Sequence, residues 1–209
     1  MALDALFGLR LRTPRLELRL GTRDELVALA RLAEAGVHPS EEMPFFFAWT
    51  DDIGTPGWME RFLAFHETKL TSWTPGAWEL NLLVWAEGEL AGTQGIKATA
   101  LGVTGTVETG SWLGAGYQRR GYGTEMRTAV LELAFRGLGA ERALSGWLEG
   151  NEASARVSAK LGYRESGLGE ARPRGLPVVE HRVELERGDW QSPVPVEIAG
   201  LESCRDLFG

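Results

Sequence analysis

The chain has 209 residues, enough for one domain with a substantial apolar core, and its 44% hydrophobic and 24% charged residues are ordinary for a soluble globular protein. A net charge of −7 argues against a protein that coats nucleic acid, and no apolar run is long enough to cross a membrane. The first residues do not resemble a secretory signal and Cys204 is the single cysteine, so we expect a cytoplasmic protein without internal disulfides.

The first third of the chain predicts one strand and two helices. Residues 16–20 alternate apolar and polar side chains, which is typical of a strand. Thr22 and Glu25 form a capping box, which predicts a helix that ends near Gly36. A second helix is expected to start at residues 55–56, because proline suits the first helical position.

The rest of the chain alternates strands and helices. Strands are expected over residues 80–86, 90–98, 106–113, 142–148 and 181–186. Helices are expected from about residue 124 to Gly137 and over residues 151–161. Residues 165–177, rich in glycine and proline, predict a long, mobile hairpin connection. The order predicts one mixed α/β domain over residues 1–187, and a C-terminal tail over residues 188–209 that packs on its own sheet or on a second subunit.

The most informative stretch is the loop of residues 118–124, which lies between a predicted strand and a predicted helix. Gly121 and Gly123 allow unusual backbone dihedrals and close approach of a ligand, and the following helix start offers free N–H groups. Such a loop binds phosphate, and Arg119, Arg120 and Arg127 are expected to concentrate positive charge there.

Two common phosphate-binding motifs are excluded by the residues of this loop. A nucleotide-hydrolysing loop needs a lysine after its second glycine, which is absent here. A dinucleotide-binding loop needs a third glycine where Met126 stands. The pattern that remains is Gln-x-x-Gly-x-Gly at a strand–helix junction.

That pattern, Gln118-Arg-Arg-Gly-Tyr-Gly123, resembles the pyrophosphate loop of the GNAT superfamily. Residues 108–113 are similar to the fourth strand of this family. Residues 151–163, Asn-Glu-Ala-Ser-Ala-Arg-Val-Ser-Ala-Lys-Leu-Gly-Tyr, are most similar to the branch of ribosomal-protein-type N-terminal (alanine or serine) acetyltransferases. The resemblance covers about residues 14–187 and implies the GNAT fold, α/β with a mixed, mostly antiparallel central sheet and helices on both faces.

The resemblance implies transfer of an acetyl group from acetyl-coenzyme A to a primary amine by direct attack in a ternary complex. The coenzyme arm is expected along the strand that ends at Leu113, in a gap that opens near residues 114–116. The implied coenzyme-binding residues are Ser111, Trp112, Leu113, Gln118, Arg119, Arg120, Gly121, Tyr122, Gly123, Thr124 and Asn151.

Three catalytic candidates follow. Many relatives carry a tyrosine as general acid where this chain has Ser158, so either Ser154 or Ser158 substitutes, or the thiolate leaves without a dedicated acid. Asn151 shares a helix face with both serines, although it also suits the N-cap. Glu108 is the candidate general base, and the alternative is a structural carboxylate with an ion partner. The histidines have no metal or triad spacing, so no metal is expected.

The acceptor side is less defined. The aromatic segment of residues 38–50 forms either a pocket wall or a plug over the core, and Phe46, Phe47 and Trp49 are the candidate substrate-binding residues. The acceptor is a peptide N-terminus or a small amine, and the acyl group is acetyl or larger. The alternative function is a catalytically weak, acyl-CoA-binding regulatory domain. We expect no nucleic-acid or membrane partner, and a homodimer.

Overall fold

A computed structural model describes residues 3–209, so residues 1 and 2 of the predicted domain lie outside the described residues. The described part contains nine strands and five helices. The strands are β1 Arg10–Arg12, β2 Leu16–Arg19, β3 Ala77–Ala86, β4 Glu89–Thr99, β5 Thr106–Leu113, β6 Arg142–Leu148, β7 Arg164–Ala171, β8 Val178–Glu186 and β9 Glu197–Ala199. The helices are α1 Arg23–Glu34, α2 Trp58–Thr71, α3 Leu101–Thr104, α4 Tyr122–Glu132 and α5 Glu152–Lys160.

The strands form a single sheet in the order β7-β8-β6-β5-β4-β3-β2-β1-β9. Strands β5 and β6 are parallel, and the other neighbouring strands are antiparallel. The crossover between β5 and β6 contains α4, as a parallel connection requires. The prediction of a mixed, mostly antiparallel sheet is therefore confirmed.

Helices cover both faces of this sheet, because side chains along a strand alternate between the two faces. Leu82 and Leu83 are adjacent on β3 and both are fully buried. Leu82 belongs to the large cluster beneath α4, and Leu83 to a second cluster with α1 and α2. We call these the α4 face and the α2 face. None of the helices within residues 3–209 is long and apolar enough to cross a membrane.

The capping box at the start of α1 is present as predicted. The Thr22 hydroxyl accepts from the Glu25 N–H, and the Glu25 carboxylate accepts from the Thr22 N–H at 2.8 Å. The predicted start of α2 is wrong, since Gly57 adopts a left-handed conformation (φ 74°) and the helix begins at Trp58. Pro56 therefore lies in the turn before α2 rather than in its first helical position.

The predicted mobile connection over residues 165–177 is also wrong, because most of it is strand β7. This strand pairs with β8 along its length and has a bulge before Gly167. Its side chains are mostly exposed on both faces, so the sequence has no apolar alternation to reveal it. The strands β1 and β9, with three residues each, were too short to give a pattern.

The C-terminal segment packs on the chain's own body. Strand β9 pairs with β1 and extends the sheet by one strand. Beyond it, the indole N–H groups of Trp73 and Trp78 donate to the carbonyls of Leu207 and Phe208, each at 2.9 Å. Cys204 is buried in the same segment, and burial raises the pKa of its thiol, which disfavours the reactive thiolate.

His66 on α2 gives a pH-dependent stability prediction. Burial lowers the pKa of His66 to about 4 from an ordinary value of 6.5. Between these values the unfolded chain binds more protons than the folded chain, so the free energy of unfolding falls as the pH is lowered. We expect this residue to cost about 2 kcal/mol of stability between pH 7 and about pH 5. Urea unfolding of the wild type and His66→Leu at both pH values measures it, and equal losses in both proteins would contradict it.

Candidate active site

The loop of residues 118–124 has the backbone geometry of an anion-binding helix start. Arg119 and Gly121 have positive φ angles of 59° and 86°, and α4 begins at Tyr122 without a side-chain cap. In residues 3–209 no carbonyl or side chain accepts from the amides of residues 119–123. These donors and the positive end of the helix dipole fit the pyrophosphate of coenzyme A.

The two glycines of the loop have different backbone conformations and surroundings. Gly121 holds a left-handed conformation that an L side chain rarely adopts. Gly123 lies within the helix, and a Cβ there would be 3.5 Å from Val157, an ordinary contact. The unusual dihedral expected for both glycines therefore exists only at Gly121.

The loop is fixed to the rest of the protein by Arg15, a residue that the sequence pattern did not single out. The buried Glu125 carboxylate on α4 accepts from the Thr13 hydroxyl at 2.6 Å and from the Arg15 guanidinium at 2.8 Å. Another nitrogen of Arg15 donates to the Arg120 carbonyl at 3.0 Å. The Arg15 guanidinium also lies over the buried Tyr122 ring. Arg15 therefore holds the conformation of the loop, while its charge is paired with that of Glu125.

Gln118 has a structural function in the described contacts. Its side-chain amide donates to the carbonyls of Val37 and Leu113, at 2.6 and 2.9 Å. These bonds tie the loop to the segment after α1 and to the end of β5. The guanidinium groups of Arg119 and Arg120 are instead exposed, and Arg120 lies 5.9 Å from the Tyr117 ring centroid. Thr124 is half-buried, and its carbonyl accepts from the Thr128 hydroxyl.

The sheet opens between the two parallel strands. β5 pairs with β6 only over three residues, of which Glu108 and Leu144 are the last pair. β5 then continues to Leu113 and β6 to Leu148 without pairing to each other. The strands thus separate well before residues 114–116, where the gap was expected, because β6 follows its partner β8 along its whole length instead. We call this opening the cleft.

The edge of β5 that faces the cleft includes the predicted residues Ser111, Trp112 and Leu113. They pair with β4 on the other side, so the backbone groups directed at the cleft have no strand partner. An extended chain with amide groups, such as the pantetheine arm of coenzyme A, can add there as a further strand.

Several buried polar atoms have no protein hydrogen-bond partner in the described part of the chain, among them Arg127 Nε, Ser158 Oγ and Gln94 Oε1. Burial raises the pKa of Tyr163, so its hydroxyl stays neutral and protonated beside Arg127 and Thr109. Buried polar groups are usually satisfied, so these three atoms are free to bind water or a polar ligand.

Helix α5 borders the cleft. The Asn151 side chain caps it by accepting from the Ser154 N–H at 3.1 Å, and its amide donates to the Pro44 carbonyl at 3.3 Å. Ser154 is half-buried, whereas Ser158 is buried with an unpartnered hydroxyl. Of the predicted helix face, Ser158 is therefore the residue turned into the interior, while Asn151 links α5 to the aromatic segment.

Glu108 lies on the α2 face, at the point where the strands separate. Its carboxylate is 54% exposed and pairs with Lys97 on β4 at 3.0 Å. On the same face, Gly95 and Gly110 are paired across β4 and β5, and the Asn81 side chain covers Gly95, with its amide oxygen 2.6 Å from the position of a Cβ there. A Cβ at Gly110 would meet nothing within 4 Å, so the space over Gly110 is open, and we call this space beside Glu108 the groove.

The aromatic segment forms one wall on this face. Trp49 packs against Trp112 on β5 and Trp58 on α2, with ring centroids 5.4 and 6.2 Å apart. Phe46 lies beside Gly146 on β6, at 3.5 Å from the position of a Cβ there. Phe47 is 81% exposed and projects into solvent. The three predicted residues therefore occupy different environments.

The tip of the β7–β8 hairpin is tied to the same segment. The Arg174 guanidinium donates to both carboxylate oxygens of Asp51, at 2.8 and 2.6 Å, and to the Ser40 carbonyl at 3.1 Å. The hydrogen bond from Arg174 lowers the pKa of Asp51. The hairpin tip is thereby fixed to both ends of the segment of residues 40–51.

The fold, the uncapped loop and the cleft define an acyl-CoA-dependent acetyltransferase. The model of the acetyltransferase (GNAT) domain matches residues 15–164, so the chain belongs to the GNAT family. Within residues 3–209, no group of three or more His, Cys, Asp or Glu side chains is placed to hold a metal ion.

Solved structures share this fold at low identity. A GNAT-family acetyltransferase from Bacillus anthracis is 18% identical over 86% of this chain and 99% of its own, with a TM-score of 0.68. A ribosomal-protein-S5-alanine acetyltransferase from Vibrio fischeri is 18% identical over 87% of this chain and 98% of its own, with a TM-score of 0.61. The ribosomal L7/L12 alpha-N-protein acetyltransferase RimL, solved with coenzyme A, is 14% identical over 83% and 95%, with a TM-score of 0.66.

Proposed function

We propose that this protein transfers the acetyl group of acetyl-coenzyme A to the free N-terminal amine of a peptide or protein. The observation that carries the proposal is the cleft between β5 and β6, which opens the sheet between the α4 face and the α2 face. The donor binds from the α4 face and the acceptor amine from the α2 face, so that they meet in one ternary complex.

The donor is held by the loop and by the edge of β5. The amides of residues 119–123 bind the pyrophosphate, and Arg119 and Arg120 add positive charge. The pantetheine arm lies along residues 111–113, with Asn151 at the start of α5 and the hydroxyls of Ser154 and Ser158 beside its path. The thioester then lies within the cleft, where water is excluded and the carbonyl carbon faces the groove.

The acceptor enters along the groove over Gly110. Its amine attacks the thioester directly, without a covalent enzyme intermediate, and gives its proton to Glu108 directly or through water. Trp49 and Phe46 form the wall, and the exposed Phe47 offers an apolar contact to the second or third residue of a peptide. RimL and the Vibrio fischeri protein are acetyltransferases of ribosomal proteins, which supports a peptide acceptor.

A thiol-release assay with a panel of acceptors tests this proposal. We expect faster release with short peptides that have a free N-terminus than with polyamines, free amino acids or amino sugars, and none with the same peptides blocked at the N-terminus. Preference for a small amine would overturn the peptide acceptor. Binding of coenzyme A without release from any amine would instead identify a regulatory domain, and a panel of acyl donors reveals a preference for a larger acyl group.

Two further expectations belong to the proposal. A cytoplasmic location fits the supply of acetyl-coenzyme A. We expect a homodimer, and since the C-terminal segment packs on the chain's own sheet, it is not donated to a second subunit. Light scattering at several concentrations measures the oligomeric state.

A further inference from the structure

Arg127 holds a buried cation inside the cleft. It projects from the middle of α4 and is only 4% exposed. One guanidinium nitrogen donates to the Ser145 hydroxyl on β6 at 2.9 Å, and another lies 3.5 Å from the Ser111 hydroxyl on β5. Both serines come after the last pair between the two strands. The Ser145 hydroxyl also donates to the Thr109 carbonyl at 3.3 Å, so the guanidinium bridges β5 and β6 at the end of the cleft where the strands begin to separate.

The charge of this guanidinium is not balanced by a carboxylate of its own helix. Glu125 pairs with Arg15, and Glu132 pairs with Arg136. The partners of Arg127 are hydroxyls, its Nε has none, and the phenol of Tyr163 beside it is neutral. A buried cation held by neutral groups is costly, and an anion formed next to it is strongly stabilised. The cleft thus contains a preorganised site for negative charge.

We propose that Arg127 is a catalytic residue that stabilises the negative charge of the departing coenzyme thiolate. This inference rests on the proposed donor site, since it requires the thioester to lie in the cleft. It also explains how the thiolate can leave without a tyrosine acid, since Ser158 stands where many relatives carry that tyrosine.

The step balances without a proton from Arg127. The nitrogen lone pair of the amine forms a bond to the carbonyl carbon, and the carbonyl electron pair moves to oxygen. When this intermediate collapses, the C–S bond breaks and its electrons remain on sulfur. The amine proton goes to Glu108 or water, and the thiolate leaves as an ion pair with the guanidinium. Arginine keeps its proton throughout, so it acts by charge alone.

If Arg127 stabilises the thiolate, the thiol of bound coenzyme A has a lowered pKa. A free thiol of this kind has a pKa of about 8.5, and a nearby cation favours the thiolate. In the complex with coenzyme A, we expect the thiol to titrate well below the free thiol. The ultraviolet absorbance of the thiolate follows this titration directly, and an exclusively structural function of Arg127 would not change it.

The experiment compares the wild type with Arg127→Met, Arg127→Lys and Arg156→Met, using coenzyme A as the probe. Arg156 on α5 is a matched control, because its side chain is 66% exposed and pairs with Glu152. We expect Arg127→Met to raise the pKa of the bound thiol to that of free coenzyme A or above, and to lower kcat by about 10²–10³-fold. Arg127→Lys should retain part of both effects, and the control should match the wild type.

If Arg127→Met does not fold, the double variant Ser111→Ala, Ser145→Ala keeps the cation and releases its orientation. It should give a smaller loss of kcat and a partial rise of the thiol pKa. An unchanged pKa of the bound thiol in Arg127→Met, or in the double variant if that must be used, would overturn the inference while leaving the transferase intact. A wild type that does not bind coenzyme A would overturn the donor site itself.

Discussion

Replacing Gly121 by valine is expected to lower the affinity for acetyl-coenzyme A by about 10²-fold, because two hydrogen bonds to a charged group are lost. Gly121 has φ 86°, and a branched side chain there is strained. Its Cβ would also lie 3.2 Å from the Arg15 guanidinium. The loop must rotate to relieve the backbone strain and the close approach to Arg15, so its amides no longer point to one anion. Isothermal titration with coenzyme A measures the effect.

Gly123→Ala is the matched control for this substitution. The residue lies in the same loop sequence but inside α4, and an added Cβ makes only an ordinary contact with Val157. We expect its affinity to remain within about threefold of the wild type, a change of less than 1 kcal/mol. Equal losses in both variants, or unchanged affinity in Gly121→Val, would show that the backbone conformation of the loop does not hold the donor.

The second large effect is expected for Glu108→Gln. This change removes the carboxylate at the end of the paired part of β5 and keeps the shape of the side chain. If Glu108 takes the proton of the acceptor amine, kcat should fall by about 10²-fold at neutral pH. The loss should shrink as the pH is raised, because more of the amine is then already deprotonated. Steady-state rates across a pH series measure both results.

Glu141→Gln controls for the loss of an exposed, ion-paired carboxylate. Glu141 pairs with Arg187 at 3.1 Å, much as Glu108 pairs with Lys97. Its replacement should leave kcat within about twofold, since exposed ion pairs contribute little even to stability. A Glu108→Gln enzyme with wild-type kcat and an unchanged pH profile would reduce Glu108 to the partner of Lys97, the structural alternative that its sequence position also allowed.

Local signals predicted much of this protein. The bounds of β5 and β6 follow directly from their sequence patterns, and Thr22 and Asn151 were correctly identified as helix caps. The loop of residues 118–124 was recognisable because its glycines, arginines and helix start are contiguous. Strand β7 was missed because an edge strand exposed on both faces has no apolar alternation.

The position of Arg127 in the fold could not be predicted from the sequence pattern. By sequence it adds to the charge of the loop, next to Arg119 and Arg120. In the folded chain it lies five residues into α4 and turns towards the sheet, where its partners Ser111 and Ser145 come from two different strands. The two serines come within reach of one guanidinium because β5 and β6 lie side by side in the sheet. A buried cation in the cleft is thus a property of the topology.

The arrangement of residues on the acceptor side could not be predicted from the sequence either. The groove depends on Gly110 on β5, where no side chain covers the sheet, with Gly95 and Asn81 next to it on β4 and β3. These residues are apart along the chain and belong to no common motif. In the proposed function, their arrangement sets which amines reach the cleft.

The most direct measurement is the fate of an isotope-labelled acetyl group, supplied as labelled acetyl-coenzyme A together with a peptide that has a free N-terminus. Mass spectrometry of both the peptide and the protein should show the label on the peptide α-amine and none on the protein, since the amine attacks the thioester directly. Label on a side chain of the protein, or release of free acetate with no labelled amine, would contradict direct transfer to a primary amine through the cleft.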